Sequence, residues 1–497
     1  MKRNILTLSA LILASYAFAT ERTYVGTATY YSLDDPLSWS DKTGVVRNSY
    51  SWAENDDLIF DKVAQPTSSD AVNVKYFDGE IFKVNSMTMK TLSYLNFTAS
   101  DDKSLDQSLR SSFEVKYFNV FANEAASTEK PYAYQIHNAG NVKVTDTLHI
   151  GSNLTSTPES MTETIFSTSF ADATYYYNSK TDHNLSMDVA NLQMSGVIPT
   201  SSNFQNTAIW YINDKTTKTN SGNGTTNAVV RIGNISGFGV IRNNFDDYET
   251  GFTKLILAPT KDSTFVGMIK DDWSTNNDSK LAKIQIIVDG NDGCTQTIRN
   301  SFKEKSVWGV ESADFTDYGT IIKNGRLAVY SLATLSKIKL EGGAFLAATA
   351  GELADDANSG SVKVASIDWE GGMLGMTINR TEIITNTINQ LGDEDAKYTF
   401  EIDVSDFDTE YTFESETHRI VATATSGAGN YGDLSKYTAI FLHNGVEQDF
   451  TIEDVILHDD GLYIQFSGAI TVIPEPSTIA AMLGIFALTL AIIRKRK

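Results

Sequence analysis

The chain has one cysteine, Cys294, so no disulfide can form within it. The turn-like setting Asp292-Gly293-Cys294-Thr295 holds no histidine, so that thiol reads as a partly buried strand-end residue and not as an activated nucleophile. Proline is scarce, at 8 in 497 residues, and histidine scarcer, at 6. His137, His149, His183, His418, His443 and His458 show no helical ligand spacing, and each reads as a strand or turn residue. The chain lacks a Gly-rich phosphate loop, His-Glu-x-x-His, Cys-x-x-Cys and Gly-x-Ser-x-Gly. Nucleotide, zinc-peptidase, dithiol and serine-hydrolase chemistry therefore have no motif here, and neither a metal nor a cofactor is expected. Between the two ends no long stretch carries a helical period.

Positive charge is also short. The net charge is −22, and six of the cations sit at the termini: Lys2, Arg3, Arg494, Lys495, Arg496 and Lys497. Without those six the chain stands at −28. Such a body repels nucleic acid and anionic lipid and stays soluble by self-repulsion. Acidic clusters at Asp34-Asp35, Asp289 with Asp292, Asp355-Asp356, Asp393-Glu394-Asp395 and Asp459-Asp460 offer oxygen ligands of the kind calcium takes. None follows an EF-hand loop or a Gly-Gly-x-Gly-x-Asp repeat, so solvated turns are the expectation.

What the chain does have is apolar alternation. Hydrophobic residues make up 41% and aromatic residues 11%, enough for a sizeable core. Phe113–Phe121, Val142-Lys-Val144 with Leu148-His-Ile150, Leu185–Val189 with Leu192-Gln-Met194, and Val229–Ile235 alternate with period two. That is the signature of half-buried strands, separated here by Ser, Thr, Asn and Gly turns. Strand pairs recurring at loose intervals point to a β-solenoid, each rung burying its inner face on the next. Periodicity alone leaves a sandwich or a tandem of β-domains open.

The ends carry a different kind of signal. Met1-Lys2-Arg3-Asn4 is basic, Ile5 to Tyr16 is apolar and too short for a stable span, and Ala17-Phe18-Ala19 gives the small-x-small pattern that signal peptidase cleaves. At the other end Pro474-Glu475-Pro476 precedes the apolar run from Ile479 to Ile493, and Arg494, Lys495, Arg496 and Lys497 follow. The run suits a short membrane helix extended by snorkelling cations, and the four charges place its end in the cytoplasm. The two prolines keep the boundary extended and accessible.

This three-part tail resembles the PEP-CTERM sorting signal of Gram-negative bacteria, over about the last twenty-five residues. The resemblance implies that a membrane-embedded exosortase recognises Pro474, Glu475 and Pro476, cuts near them and passes the body to the cell surface or matrix. Within the body, Ser263–Ile269, Ile284–Gly290 and Gly319-Thr-Ile-Ile-Lys-Asn324-Gly325-Arg-Leu327-Ala-Val329 are similar to the autotransporter-associated β-strand repeat, as is Arg231–Ile241 upstream. That likeness implies a right-handed β-helix, here without an autotransporter barrel after it.

The expected organisation is all-β. A signal peptide spans 1–19, a solenoid region 20–261, a repeat-like region 262–372, a C-terminal β cap 373–471 and the sorting and anchoring tail 472–497. The expected role is a surface-displayed structural or adhesive protein that is not an enzyme. Its partners are signal peptidase, exosortase, the inner membrane and extracellular polysaccharide. The rival is a carbohydrate-active β-helix enzyme on the same tail, whose carboxylates, such as Glu114 and Asp188, would meet on adjacent rungs. The signal sequence makes the first prediction. N-terminal sequencing of the exported protein should begin at Thr20, and an intact Met1 would contradict it.

Overall fold

The computed structural model of the chain describes residues 21–24, 39–41, 56–60, 72–73, 81–89, 94–96, 112–121, 132–139, 142–151, 164–170, 187–195, 208–215, 228–245, 252–271, 283–299, 308–309, 317–330, 332–335, 337–348, 360–425, 427 and 429–471. The apolar stretches Ile5 to Tyr16 and Ile479 to Ile493 lie outside them. The described residues are all-β, with a single 3₁₀ turn at Leu434–Lys436. No helix among them is long and apolar enough to cross a membrane.

Most strands belong to one long, largely parallel sheet. Alternation explains the inner face. In Val142–Gly151, Val142 and Val144 point inward and Lys143 outward. The phase then slips at Asp146 and Thr147, after which Leu148 and Ile150 point inward. Met187–Ser195 repeats this with Met187 and Val189, then Leu192 and Met194. The slip bends the strand around a corner, so both of its halves face the core.

Successive strands stack in register. Val115 lies over Val144, then Val189, Ile232, Leu257, Val288, Ile322, Leu340 and Trp369, an unbroken apolar column. Every member is buried. Each such side chain contributes about 1.5–3 kcal/mol on leaving water, so the column supplies much of the core energy. From Phe252 onward each long strand is two short ones, as in Thr320–Asn324 with Arg326–Tyr330 and Ile338–Leu340 with Ala344–Ala347. The body is therefore β-solenoid-like, its parallel rungs joined by turns of uneven length.

The corner carries its own ladder. Asn191 Nδ2 donates to the Asp146 carbonyl at 2.8 Å, and Asn234 Nδ2 donates to Asn191 Oδ1 at 2.9 Å. Asn234 Oδ1 accepts from the Thr260 N–H at 3.1 Å. These amides satisfy backbone groups that the phase slip takes out of the sheet. Further along, the turn between half-strands falls on Gly325, Gly343 and Gly372, stacked with φ of 76°, 58° and 78°. A Cβ at Gly343 would overlap the Gly325 carbonyl, and one at Gly372 the Gly343 carbonyl.

A second, seven-stranded parallel sheet faces the first half of the ladder and ends at Met268–Lys270. A third begins at Leu332–Leu335 and runs through Gly360–Val364, Thr381–Ile384 and Thr412–Ala422. Between them Trp308 is fully buried, its indole N–H donating to Thr320 Oγ1 at 2.9 Å. Parallel pairing gives way to antiparallel at the ends. Trp39–Asp41 pairs antiparallel with Glu21–Tyr24, Val446–Gln448 with Tyr437–His443, and Gly461–Ala469 with both Thr412–Ala422 and Thr451–His458. Phe413, Phe441, Phe450 and Phe466 pack beneath these last strands, with ring centroids 4.4 Å apart for Phe441 and Phe466.

The glycine stack yields a paired prediction. Gly293 also has positive φ but opens on empty space, so Gly293→Ala should cost only the left-handed strain of about 1–2 kcal/mol. Gly343→Ala adds a backbone clash and should cost at least about twice as much. Urea midpoints of the two variants test the order, and equal midpoints would remove the stacked turn as a constraint.

Candidate functional surface

The outward residues of stacked strands form columns as regular as the inward ones. Lys83 lies over Glu114, Glu114 over Lys143, Lys143 over Asp188, and Asp188 over Arg231. Charge alternates along the column. Glu114 is 4.0 Å from Lys83 Nζ and 3.2 Å from Lys143 Nζ, and Asp188 is 3.2 Å from Arg231 Nη1. Parallel rungs repeat at about 4.8 Å, so opposite charges on adjacent rungs sit at ion-pair distance without strain. Glu114 and Asp188 do not meet, because Lys143 stands between them.

A second outward column occupies the C-terminal half. Ile321 lies over Lys339, then Asp368 and Asn389. Asp368 accepts from Tyr318 Oη at 2.6 Å and from Asn389 Nδ2 at 2.7 Å. The hydrogen bond to the carboxylate, reinforced by burial, pushes the Tyr318 phenol up to about 12. Lys339 Nζ lies 2.9 Å from Glu341 Oε1 and 3.0 Å from Glu370 Oε1. These two bonds push its ammonium above the ordinary lysine value, against the opposing effect of burial. Lys339, Glu341, Asp368, Glu370 and Asn389 come from three different rungs, and sequence reasoning singled out none of them as a group. Their only sequence signal is the apolar-flanked polar position in Ile-Lys-Leu and Ile-Asp-Trp.

The histidines stay apart. His149 is half-buried with its Nε2 2.6 Å from Ser195 Oγ, and burial lowers its pKa. His418 lies 3.1 Å from Glu416, His443 donates to the Phe407 carbonyl at 3.2 Å, and His458 meets the Tyr463 ring edge-on. Among the described residues no group of three or more His, Cys, Asp and Glu converges on a metal position. Among the described residues the acidic clusters lie on turns or at the end of a strand. Asp289 accepts from Asn324 Nδ2 at 2.8 Å, Asp393-Glu394-Asp395 lies in an exposed turn, and Asp460 binds Arg419 and Tyr463. Cys294 is half-buried immediately before Thr295–Arg299. Ala17, Ala19, Pro474, Glu475, Pro476, Arg494, Lys495, Arg496 and Lys497, with Asp34, Asp35, His183, Asp355 and Asp356, lie outside the described residues.

The chain matches no family model, no curated protein and no solved structure. Its surface must be understood from its own chemistry. The first outward column sets charged groups at the rung spacing, and the second adds the amide of Asn389.

Lys143 tests how far the column orders the rungs. Its side chain is about half exposed, so Lys143→Ala should cost less than about 1 kcal/mol. Lys143→Glu places three carboxylates on consecutive rungs and should lower the urea midpoint further in dilute buffer. The gap between the variants should close at about 1 M salt, where the screening length falls to about 3 Å. Indistinguishable variants in dilute buffer would show that the column plays no part in stability.

Proposed function

We propose that the chain is an exported structural or adhesive protein displayed at the surface of a Gram-negative bacterium and handled by an exosortase. The carrying observation is the order of parts at the C-terminal end: a β body, then Pro474-Glu475-Pro476, then an apolar run, then Arg494, Lys495, Arg496 and Lys497. A plain membrane anchor needs the apolar run and the cations. It has no use for two prolines and a glutamate at the boundary. On this reading the body is an elongated right-handed β-solenoid with a C-terminal β cap, held first at the inner membrane by a C-terminal helix. The outward polar columns support adhesion, since stacked Lys, Glu, Asp and Asn side chains repeat donors and acceptors along the rung direction. Extracellular polysaccharide is the polymer such a surface suits.

The test separates the motif from the anchor. Replacing Pro474, Glu475 and Pro476 with Ala leaves the apolar run and the four cations intact, so insertion should survive. Processing should fail in a host that has the exosortase, with full-length protein accumulating in the inner membrane. Fractionation with an antibody against the body reads this out. Delivery like that of the unaltered protein would reduce the tail to an anchor.

A further inference from the structure

We propose that Lys283 and Asp271 condense into an intramolecular amide that staples the body where its second sheet ends. Asp271 directly follows Met268–Lys270, the last strand of that sheet, and Lys283 opens the next rung as the first residue of Lys283–Asp289. Both side chains are more than nine-tenths buried, with 9% of Lys283 and 6% of Asp271 exposed. Ile269 and Ile284, close by in the chain, are fully buried, as is Trp308, whose neighbour Gly309 bonds Asp271. Lys283 Nζ is 3.8 Å from Asp271 Oδ2, beyond hydrogen-bond distance. An amide removes both buried charges altogether.

The surroundings are built for the reaction. Asp271 Oδ1 accepts the backbone N–H of Ile284 at 2.7 Å and that of Gly309 at 2.9 Å. Two amide donors at that range form the arrangement that stabilises a developing oxyanion. Asn243, itself fully buried, holds both partners. Its backbone N–H donates to the Asp271 carbonyl at 3.3 Å, and its Nδ2 donates to the Lys283 carbonyl at 3.2 Å. Thr253 Oγ1 donates to Asn243 Oδ1 at 2.9 Å and fixes the amide in turn.

The step balances without a co-reactant. As the pair closes to hydrogen-bond distance, a proton passes from the Lys283 ammonium to Asp271 Oδ2, leaving a neutral amine and a carboxylic acid. Nζ attacks Cγ, the Nζ–Cγ bond forms, and negative charge gathers on Oδ1 between the two N–H donors. A proton then moves from Nζ to Oδ2, the Cγ–Oδ2 bond breaks, and one water leaves. Nothing is oxidised, and the net charge is unchanged. Fixed neighbours react at effective concentrations of about 10⁵–10⁸ M, which favours condensation over the hydrolysis preferred in bulk water. A chain with one cysteine gains by this route a covalent closure that a disulfide cannot give it.

A tryptic map of the folded, full-length protein tests the proposal. Trypsin cuts after Lys270, Lys280 and Arg299. The expected product joins peptide 271–280 to peptide 281–299, lighter than the pair by one water and uncut after Lys283. K283R keeps the charge but lacks the primary amine, so its map should give peptide 271–280 alone. Free peptide 271–280 together with cleavage after Lys283 in the unaltered protein would overturn the proposal and leave an ion pair only.

Discussion

Everything in this molecule depends on one constraint, that parallel strands stack residue over residue along a common direction. Each rung gives its backbone donors and acceptors to the rungs on either side, so no interior rung is satisfied alone. Side chains inherit the same rule. A position on one rung has the equivalent position of its neighbours about 4.8 Å away, and whatever it carries must tolerate that company. Val, Ile and Leu tolerate it by packing, and they fill the inner column from Val115 to Trp369. Asparagine tolerates it because an amide donates to one neighbour and accepts from another, as Asn191 and Asn234 do. Charges from Lys83 to Arg231 tolerate it by alternating. Glycine at Gly343 and Gly372 answers the most severe form of the rule, where the neighbour is a carbonyl with no room for a Cβ.

The same rule divides what the sequence displays from what it conceals. Alternation over 113–121, 142–150 and 185–194 is a local property, and it marks strands because side chains change face at every residue. The corner glycines are local too: Asn324-Gly325 is a turn by its chemistry, whichever rungs lie beside it. Pairing is not local. Stacked residues are 18 apart at Thr320 and Ile338 but 45 apart at Val142 and Met187. No fixed period discloses that Lys143 separates Glu114 from Asp188, or that Lys339 bridges Glu341 and Glu370. Even the short alternations around Val144 and Leu148, separate in the sequence, prove to be one strand bent at Asp146 and Thr147. Nothing local marks Asp271 and Lys283 as a pair, and only the fold shows them buried together.

Charge follows the architecture as well. The column from Lys83 to Arg231 neutralises itself pair by pair, so the large negative excess does not reside there. Part of it falls on turns, at Asp292, Asp393-Glu394-Asp395 and Asp459-Asp460, where no rung stacks a carboxylate on another. Acidity and in-register stacking are thus reconciled by position. The ladder carries a matched column, and the turns carry acidic clusters exposed to water.

A parallel ladder also has ends, and an unguarded end is a template for another chain. This fold stops its sheets by three physical means. The long sheet is bounded at its start and along its second row of half-strands by antiparallel strands, Trp39–Asp41 and Val446–Gln448, which no longer present the parallel register that a further rung would copy. The second sheet stops inside the body, where Asp271 takes the N–H groups of Ile284 and Gly309 with its side chain and so replaces a missing strand. The third sheet ends on Thr451–His458, which among the described residues pairs only with Gly461–Ala469 and sets Glu453 and Asp454 in the open. Glu453 is held in its ionised form by hydrogen bonds from Ser415 and Ser467, which lower its pKa. A new strand there would have to desolvate that charge. The chain then leaves the last sheet at Ile470, just before Pro474, whose ring cannot donate to any ladder. At each of these three places a body built by repetition is stopped by a group that cannot continue it.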